Sequence, residues 1–144
     1  MRFWDSSALV PLLVNESGSQ AALAELERDP DVLTWWATEV ECASALCRLE
    51  REGHLTSEGL TEALARLSAL VPSWQIVQPV KRMRAVAIRL LRMQPLRAAD
   101  ALQLAAAVEA SEHAPHTLPF VTLDERLSRS AEREGFPVVS PLRP

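Results

Sequence analysis

Short apolar segments alternate along this chain with longer amphipathic ones, and this alternation limits the possible folds more than any other feature. Segments with strand character occupy residues 1–5, 31–35, 74–77, 120–122 and 137–140. Between them, apolar residues recur three and four positions apart, which is typical of helices with one buried face. Short strands separated by helices favour a parallel sheet covered on both sides. We therefore expect a three-layer α/β/α fold around a short, central, mostly parallel sheet of four or five strands.

The helices are predicted from the periodic apolar positions and from residues that start or stop a helix. A first helix should be capped by Ser6 or Ser7 and run through Leu13, and Gly53 should end a later one. The other predicted helices cover 19–28, 38–51, 57–70, 80–93, 96–112 and 124–134. The helix over 96–112 has a nearly all-apolar middle, ALQLAAAV, so we expect it to be buried on most sides.

Length and composition indicate one globular domain over residues 1–144. The chain is 48% hydrophobic and 24% charged, which is ordinary for a protein with a single core. Asp5 and Pro11 interrupt the apolar N-terminal run, and no stretch approaches the length of a membrane span, so neither a signal peptide nor a membrane location is expected. Cys42 and Cys47 are five residues apart, on different helix faces, and predict buried free thiols. Together these features predict a cytoplasmic protein.

Positive charge is concentrated in one part of a chain that is acidic overall. The net charge of -4 counts against a nucleic-acid binder. Between residues 79 and 99, however, there is no acidic residue, and six of the 15 basic groups of the chain lie there: Lys81, Arg82, Arg84, Arg89, Arg92 and Arg97. A solvated helix face is the simpler interpretation of this segment, and a contact surface for a polyanion is the alternative.

Two aspartates directly follow predicted strands. Asp5 comes after the first strand and Asp124 after the strand FVT. The carboxyl ends of parallel strands meet at one edge of a sheet, where ligands bind in α/β proteins. Each of these residues also precedes a helix, so a helix cap is the alternative role for both.

Two further carboxylates lie among apolar residues on predicted helices. Glu41 has apolar neighbours one turn away, whereas Glu39, the competing candidate, is nearer the polar face. Asp100 lies within LRAADALQL, and a charge there must be compensated. A metal ion and an ion pair with Arg97 are the two alternatives for that compensation.

If these four carboxylates converge, they repel one another unless a cation neutralises them. Magnesium and manganese prefer oxygen ligands and suit such a site. These ions also activate water and stabilise charge on a phosphodiester. The residues therefore predict metal-assisted phosphodiester hydrolysis.

Four motifs in a fixed order resemble the PIN-domain family, and specifically its VapC-type toxins. These motifs are DSSAL, EVECASAL, RAADALQLA and FVTLDERLSRSAEREGF, and they span almost the whole chain. The resemblance implies an endoribonuclease toxin that uses Mg²⁺ or Mn²⁺, is neutralised by a small VapB-like antitoxin and commonly forms a homodimer. It implies an RNA substrate, with no direct DNA binding except through the antitoxin complex.

The resemblance also assigns roles to individual residues. The acidic quartet of the family matches Asp5, Glu41, Asp100 and Asp124. Ser6 and Thr122 match supporting hydroxyl positions beside the first and last acids, although both could instead be helix caps. For an RNA substrate, the side chains expected to guide the backbone are Arg82, Arg89 and Arg97.

Other functions are less compatible with the sequence. A catalytically inactive PIN-fold binding protein is the main alternative. A response-regulator receiver requires a lysine after a late strand, whereas the only lysine is Lys81. A haloacid-dehalogenase-like phosphatase requires an aspartate where Ser7 stands. The three histidines have no zinc-binding spacing and are expected at the surface, and the four tryptophans are expected in the core or in a dimer interface.

Overall fold

A fully parallel, five-stranded sheet forms the middle of the computed structural model, which describes residues 1–141. The strands are β1 (Arg2–Trp4), β2 (Val32–Trp35), β3 (Gln75–Val77), β4 (Phe120–Val121) and β5 (Val138–Val139). Their order across the sheet is β3-β2-β1-β4-β5. The expected three-layer α/β/α fold is confirmed. The last three residues of the predicted domain, 142–144, lie outside the described part.

The direction in which strands are added to the sheet reverses between β1 and β4. The chain proceeds outward from β1 to β2 and β3 on one side, and β4 and β5 are added on the other. In open parallel sheets, the point at which this direction reverses leaves a crevice beyond the carboxyl ends of the strands. Here that crevice lies beyond β1 and β4, whose register pairs Phe3 with Phe120 and Trp4 with Val121. The residues that follow these two strands are therefore brought together.

Helices cover both faces of the sheet. They are α1 (Ser6–Leu9), α2 (Ser19–Arg28), α3 (Thr38–Arg51), α4 (Ser57–Leu70), α5 (Lys81–Met93), α6 (Ala98–Ala110) and α7 (Glu125–Arg133). The predicted bounds of α2, α3 and α4 are confirmed, and the stop at Gly53 is confirmed by its positive φ of 81°. Only a left-handed backbone closes the helix in this way, and glycine adopts it without strain.

The prediction for the first helix was wrong in two respects. The α-helix ends at Leu9, and a 3₁₀ turn over Val10–Leu12 replaces its expected continuation. Pro11 has no amide hydrogen and cannot donate the hydrogen bond that would extend the helix. The N-cap position belongs to Asp5 rather than to Ser6 or Ser7, and the Asp5 side chain makes no capping hydrogen bond there.

Alternate residues of the central strand pack into two separate hydrophobic cores. Phe3 joins the core beneath α5 and α6, whereas Trp4 joins the core beneath α1, α3 and α4. This is the alternation of side chains expected along a strand. As predicted, α6 is buried on most sides: Leu104 and the four alanines at 101 and 105–107 are fully buried. This burial leaves little room for polar side chains on α6, so those that occur require an explanation.

The remaining sequence predictions have mixed outcomes. The tryptophans at 4, 35 and 74 are buried, but Trp36 is 60% exposed. Both cysteines are free, with Cys42 buried and Cys47 only partly so. The histidines at 54, 113 and 116 are exposed, as expected. None of the helices within residues 1–141 is long and apolar enough to span a membrane.

Candidate active site

A cavity of about 800 Å³ opens at the carboxyl edge of the sheet, beside the crevice between β1 and β4. All four carboxylates selected from the sequence line it: Asp5, Glu41, Asp100 and Asp124. Glu39 is exposed and is not among the residues lining the cavity, so of these two glutamates it is Glu41 that lies at the cavity. Three arginines also line the cavity, namely Arg48, Arg97 and Arg126.

Asp5 is the most buried of these acids, and hydroxyl groups hold one of its two oxygens. It is only 4% exposed. Its Oδ2 accepts hydrogen bonds from Thr122 Oγ1, at 2.7 Å, and from Ser7 Oγ. Its Oδ1 has only longer contacts, at 3.4 Å, with Ser6 Oγ and with Gln103 Nε2. One oxygen is therefore well satisfied, and the other keeps most of its capacity to bind a ligand.

The backbone after β4 orients the two hydroxyls on Asp5. Thr122 Oγ1 accepts a hydrogen bond from the amide of Asp124 at 3.0 Å, and Ser7 Oγ accepts one from the amide of Leu123 at 2.9 Å. A hydroxyl has one hydrogen, so each is left to donate that hydrogen to Asp5. Thr122 thus supports the first acid, as expected for a supporting hydroxyl, and it does not cap a helix.

Glu41 accepts hydrogen bonds on both carboxylate oxygens. Trp35 Nε1 donates to Oε1 at 3.2 Å, and Gln103 Nε2 donates to Oε2 at 2.8 Å. Ser6 Oγ lies 3.3 Å from the same Oε2. Because Ser6 and Gln103 also contact Asp5 Oδ1, they lie between the two acids. The supporting role of Ser6 stays a prediction, and its hydroxyl lies within 3.4 Å of both acids.

The sequence analysis missed Gln103, the residue that joins these acids. Its side chain is 1% exposed, and its two Nε2 hydrogens can serve Glu41 and Asp5 at the same time. Its Oε1 is buried with no hydrogen-bond partner in the described part of the chain. A signal was present in the sequence, because a glutamine within ALQLAAAV lies one helical turn after Asp100 on the same face.

The other two acids are more accessible to solvent. Asp124 is exposed and accepts a hydrogen bond from the amide of Leu127 at 2.8 Å, so it does cap α7 with one oxygen. Asp100 is half-buried in the first turn of α6. It forms no ion pair with Arg97 within 4 Å, although the charges of Arg97 and Arg126 act on it. The cap proposed for Asp124 is therefore present, and the direct ion pair proposed for Asp100 is not.

Burial raises the pKa of three of these acids above their ordinary values. For Asp5, desolvation outweighs the hydroxyl donors of Ser7 and Thr122. For Glu41, desolvation again dominates, and the charge of Asp5 adds to it. For Asp100, desolvation is followed by repulsion from Asp124. The surroundings of all three acids therefore disfavour their ionised form.

These residues fit a hard divalent cation. All the potential ligands are oxygens, the Asp5 Oδ1 atom is only weakly engaged, and burial disfavours the ionised form of Asp5, Glu41 and Asp100, which a bound cation would favour. Within residues 1–141, no three carboxylate, histidine or cysteine side chains converge closely enough to hold an ion by themselves. Mg²⁺ keeps several waters and commonly binds through one or two carboxylates, so it does not need such a cluster.

The arginines selected from the sequence are found in different environments. Arg97 lines the cavity. Arg82 pairs with Glu109, and Arg89 pairs with Glu134 at 2.9 Å, and neither arginine lines the cavity. Arg48 and Arg126, which do line it, were missed because they lie outside the segment 79–99 that has no acidic residue.

Gln103→Leu should weaken Mn²⁺ binding without unfolding the protein. Leucine has a similar volume, but it removes the amide that holds Asp5 and Glu41 in place. Loss of such a supporting contact typically lowers metal affinity about 10–100-fold. Calorimetric titration with Mn²⁺ measures the effect, with the exposed Gln20→Leu as the matched control. An unchanged affinity in Gln103→Leu would contradict this role.

The sequence and the fold were compared with those of known proteins. The sequence model of the PIN domain matches residues 2–133. Similar solved structures include FitAcB from Neisseria gonorrhoeae, with 18% identity, full coverage of both chains and a TM-score of 0.73. They also include a toxin-antitoxin complex from Klebsiella pneumoniae, with 18% identity, full coverage of both chains and a TM-score of 0.67. PAE2754 from Pyrobaculum aerophilum is 20% identical, with 97% of this chain and 88% of that chain covered and a TM-score of 0.64. No curated protein matches the sequence.

Proposed function

The chain belongs to the PIN-domain family, and from this premise we propose that it is a divalent-metal-dependent endoribonuclease, the toxin of a VapC-type toxin-antitoxin pair. One observation carries the proposal. The buried Asp5 carboxylate has one saturated oxygen, and its other oxygen shares two donors with Glu41 at the edge of a cavity that Asp100 and Asp124 also line. This arrangement suits the binding of a cation and of a phosphodiester at the same place.

Asp5, Glu41, Asp100 and Asp124 would hold Mg²⁺ or Mn²⁺, which supplies an activated water and stabilises negative charge on the phosphate. The remaining residues orient these acids. Thr122 and Ser7 fix Asp5, while Trp35 and Gln103 fix Glu41. Groups that are already oriented need no rearrangement when the reaction occurs. Most of the effect of electrostatic catalysis comes from this preorganisation.

Positive side chains at the same cavity support a polyanionic substrate. Arg48, Arg97 and Arg126 line it together with the acids. Such groups attract the phosphate backbone and position it, and they do so without sequence preference. We therefore assign backbone guidance to these three residues, of which only Arg97 was selected from the sequence.

An antitoxin and a second copy of the chain are the proposed protein partners. One of the similar structures is itself a toxin-antitoxin complex. Trp36 and Val40 are 60% and 69% exposed, and Val40 lines the cavity. Large apolar side chains exposed beside a functional cavity are typical of a surface that another protein covers.

Cleavage of RNA with Mn²⁺, in protein free of antitoxin, tests the proposal. We expect the wild type to cut unstructured RNA, EDTA to stop the reaction, and Asp100→Ala to slow it on the order of 10²-fold, as for other groups that stabilise developing charge. The control is Asp31→Ala, an exposed aspartate before β2. Equal cleavage by Asp100→Ala and the wild type would rule out the assigned mechanism.

A catalytically inactive PIN-fold binding protein is the second candidate. The observation that favours it is that, among residues 1–141, no three ligands converge into a ready-made metal site. Calorimetry with Mn²⁺ separates the two candidates, because a nuclease of this type must bind the ion. Absence of Mn²⁺ binding together with absence of cleavage would favour the binding protein.

A further inference from the structure

A second cavity adjoins the one that holds the acids. It has a volume of about 370 Å³ and is lined by Pro95, Glu125, Arg126, Arg129, Ser130 and Arg133. Glu125 and Arg126 line both cavities, so the two share a wall formed by the first turn of α7. The two cavities are therefore neighbours at the N-terminal end of α7.

Three arginines make one face of α7 basic. Arg126, Arg129 and Arg133 are three and four positions apart, which places them on the same side of a helix. From the first to the last, this face extends about 10 Å along the helix axis. All three side chains are exposed to solvent. We call these three residues the α7 arginine face.

Two arginines of this face, Arg129 and Arg133, are poorly neutralised. Of the described residues lining the second cavity, Glu125 is the single carboxylate, and it lies 3.8 Å from Arg129 with both side chains about 70% exposed. Pairs that are so exposed contribute little and are screened by salt. Arg133 donates to Gln94 Oε1 at 3.0 Å, which orients the guanidinium but leaves its charge uncompensated.

Two of the four arginines of α5 differ in this respect. Arg82 and Arg89 pair with Glu109 and Glu134, whose side chains are each only 13% exposed. A carboxylate that is mostly buried needs its partner, so these two arginines are already committed to the protein. Of these two helices, α7 therefore contributes the positive charge beside the acidic cavity, since no arginine of α5 is among the described residues lining either cavity.

We propose that the α7 arginine face binds the phosphates that neighbour the scissile phosphate in the same RNA strand. The substrate would then extend from the acidic cavity over α7. This inference rests on the proposed nuclease function. None of the described residues lining the second cavity is aromatic, so stacking on bases has no platform there. The contact is to the backbone, which makes it independent of sequence and sensitive to salt.

The double variant Arg129→Gln/Arg133→Gln tests this inference, because it spares Arg126 in the acidic cavity. Binding of a fluorescent unstructured RNA is measured by anisotropy in EDTA, over a range of salt concentrations. Loss of two phosphate contacts should lower the slope of log affinity against log salt by about 1.4 and weaken binding roughly tenfold at low salt. The control with equal charge loss is Arg84→Gln/Arg92→Gln, at two exposed positions that line neither cavity, and it should leave the slope unchanged.

The outcomes separate this inference from the function on which it rests. If Arg129→Gln/Arg133→Gln binds RNA with the wild-type slope while the wild type still cleaves, the α7 path is overturned and the nuclease stands. In that case the alternative ligand of the α7 arginine face is an acidic segment of a protein partner. If the control loses as much slope as the test variant, the effect is one of net charge, and the α7 path is again overturned. If the wild type neither binds nor cleaves RNA, both proposals fall.

Discussion

Asp5→Asn is expected to abolish RNA cleavage and, in metal-free buffer at neutral pH, to raise the melting temperature by a few degrees. The carboxylate is buried, and desolvation raises its pKa, so its negative charge opposes folding until a cation binds. The asparagine oxygen can still accept from Thr122 and Ser7, and its amide can donate to Ser6. Without the Asp5 carboxylate the cation is held less well, and its stabilisation of the transition state is worth several kcal/mol. Cleavage should therefore be slower by about 10³-fold or more.

Two measurements on the same protein preparation check this expectation. Cleavage rates with Mn²⁺ give the loss of activity, and thermal melting in EDTA gives the change in stability. Asp31→Asn, at an exposed position away from the cavity, should change neither quantity. If Asp5→Asn kept more than a tenth of the wild-type activity, Asp5 would not be a metal ligand of the reaction.

Mn²⁺ should stabilise the wild type strongly at pH 8 and only weakly at pH 5. Burial raises the pKa of Asp5, Glu41 and Asp100 in the folded state, so the folded state holds these protons more tightly than the unfolded chain. Their contribution to stability is full below the unfolded pKa values, near 4, and is lost as pH rises through the folded ones. A cation that binds the ionised carboxylates restores stability at high pH.

The size of this effect follows from mass action. At a Mn²⁺ concentration about 1,000 times the dissociation constant, the gain is about 4 kcal/mol, which corresponds to a rise in Tm on the order of 10 °C for a chain of this length. Melting curves at pH 5 and pH 8, with Mn²⁺ and with EDTA, measure it. Asp5→Asn should show a flatter pH dependence in EDTA and a smaller response to Mn²⁺. An equal shift at both pH values in the wild type would contradict the expectation.

The acidic residues could be found from the sequence because their positions follow from local rules. An aspartate at the end of a parallel strand lies at the ligand-binding edge, which places Asp5 and Asp124. Helical phase places Glu41 beside the buried Cys42, whereas Glu39 points away. Cys42 shows how close these groups are, because burial first, and then the charges of Asp5 and Glu41, raise its pKa to about 12.

The positioning contacts could not be found in this way, because they join distant parts of the chain. Gln103 contacts Asp5 across 98 positions and Glu41 across 62, and no local pattern predicts which helix will face which. The same limit applies to charge. Arg89 is neutralised by Glu134, 45 residues away, so a basic segment in sequence is not a basic surface in the fold. Pro11 is a different case, since the end of the first helix follows from a local property, the missing amide hydrogen of proline.

The hydroxyls on Asp5 Oδ2 also set an order of events during protein synthesis. Thr122 lies 117 positions after Asp5, and the amides of Leu123 and Asp124 orient the hydroxyls that hold it. Ribosomes add about 5–20 residues per second, so roughly 6–23 s pass between translation of the first aspartate and translation of its support. Fragments that end before Thr122, whether from stalled translation or from proteolysis, lack that support. A ribosome that makes this chain therefore meets no finished acidic site before residues 122–124 have been translated.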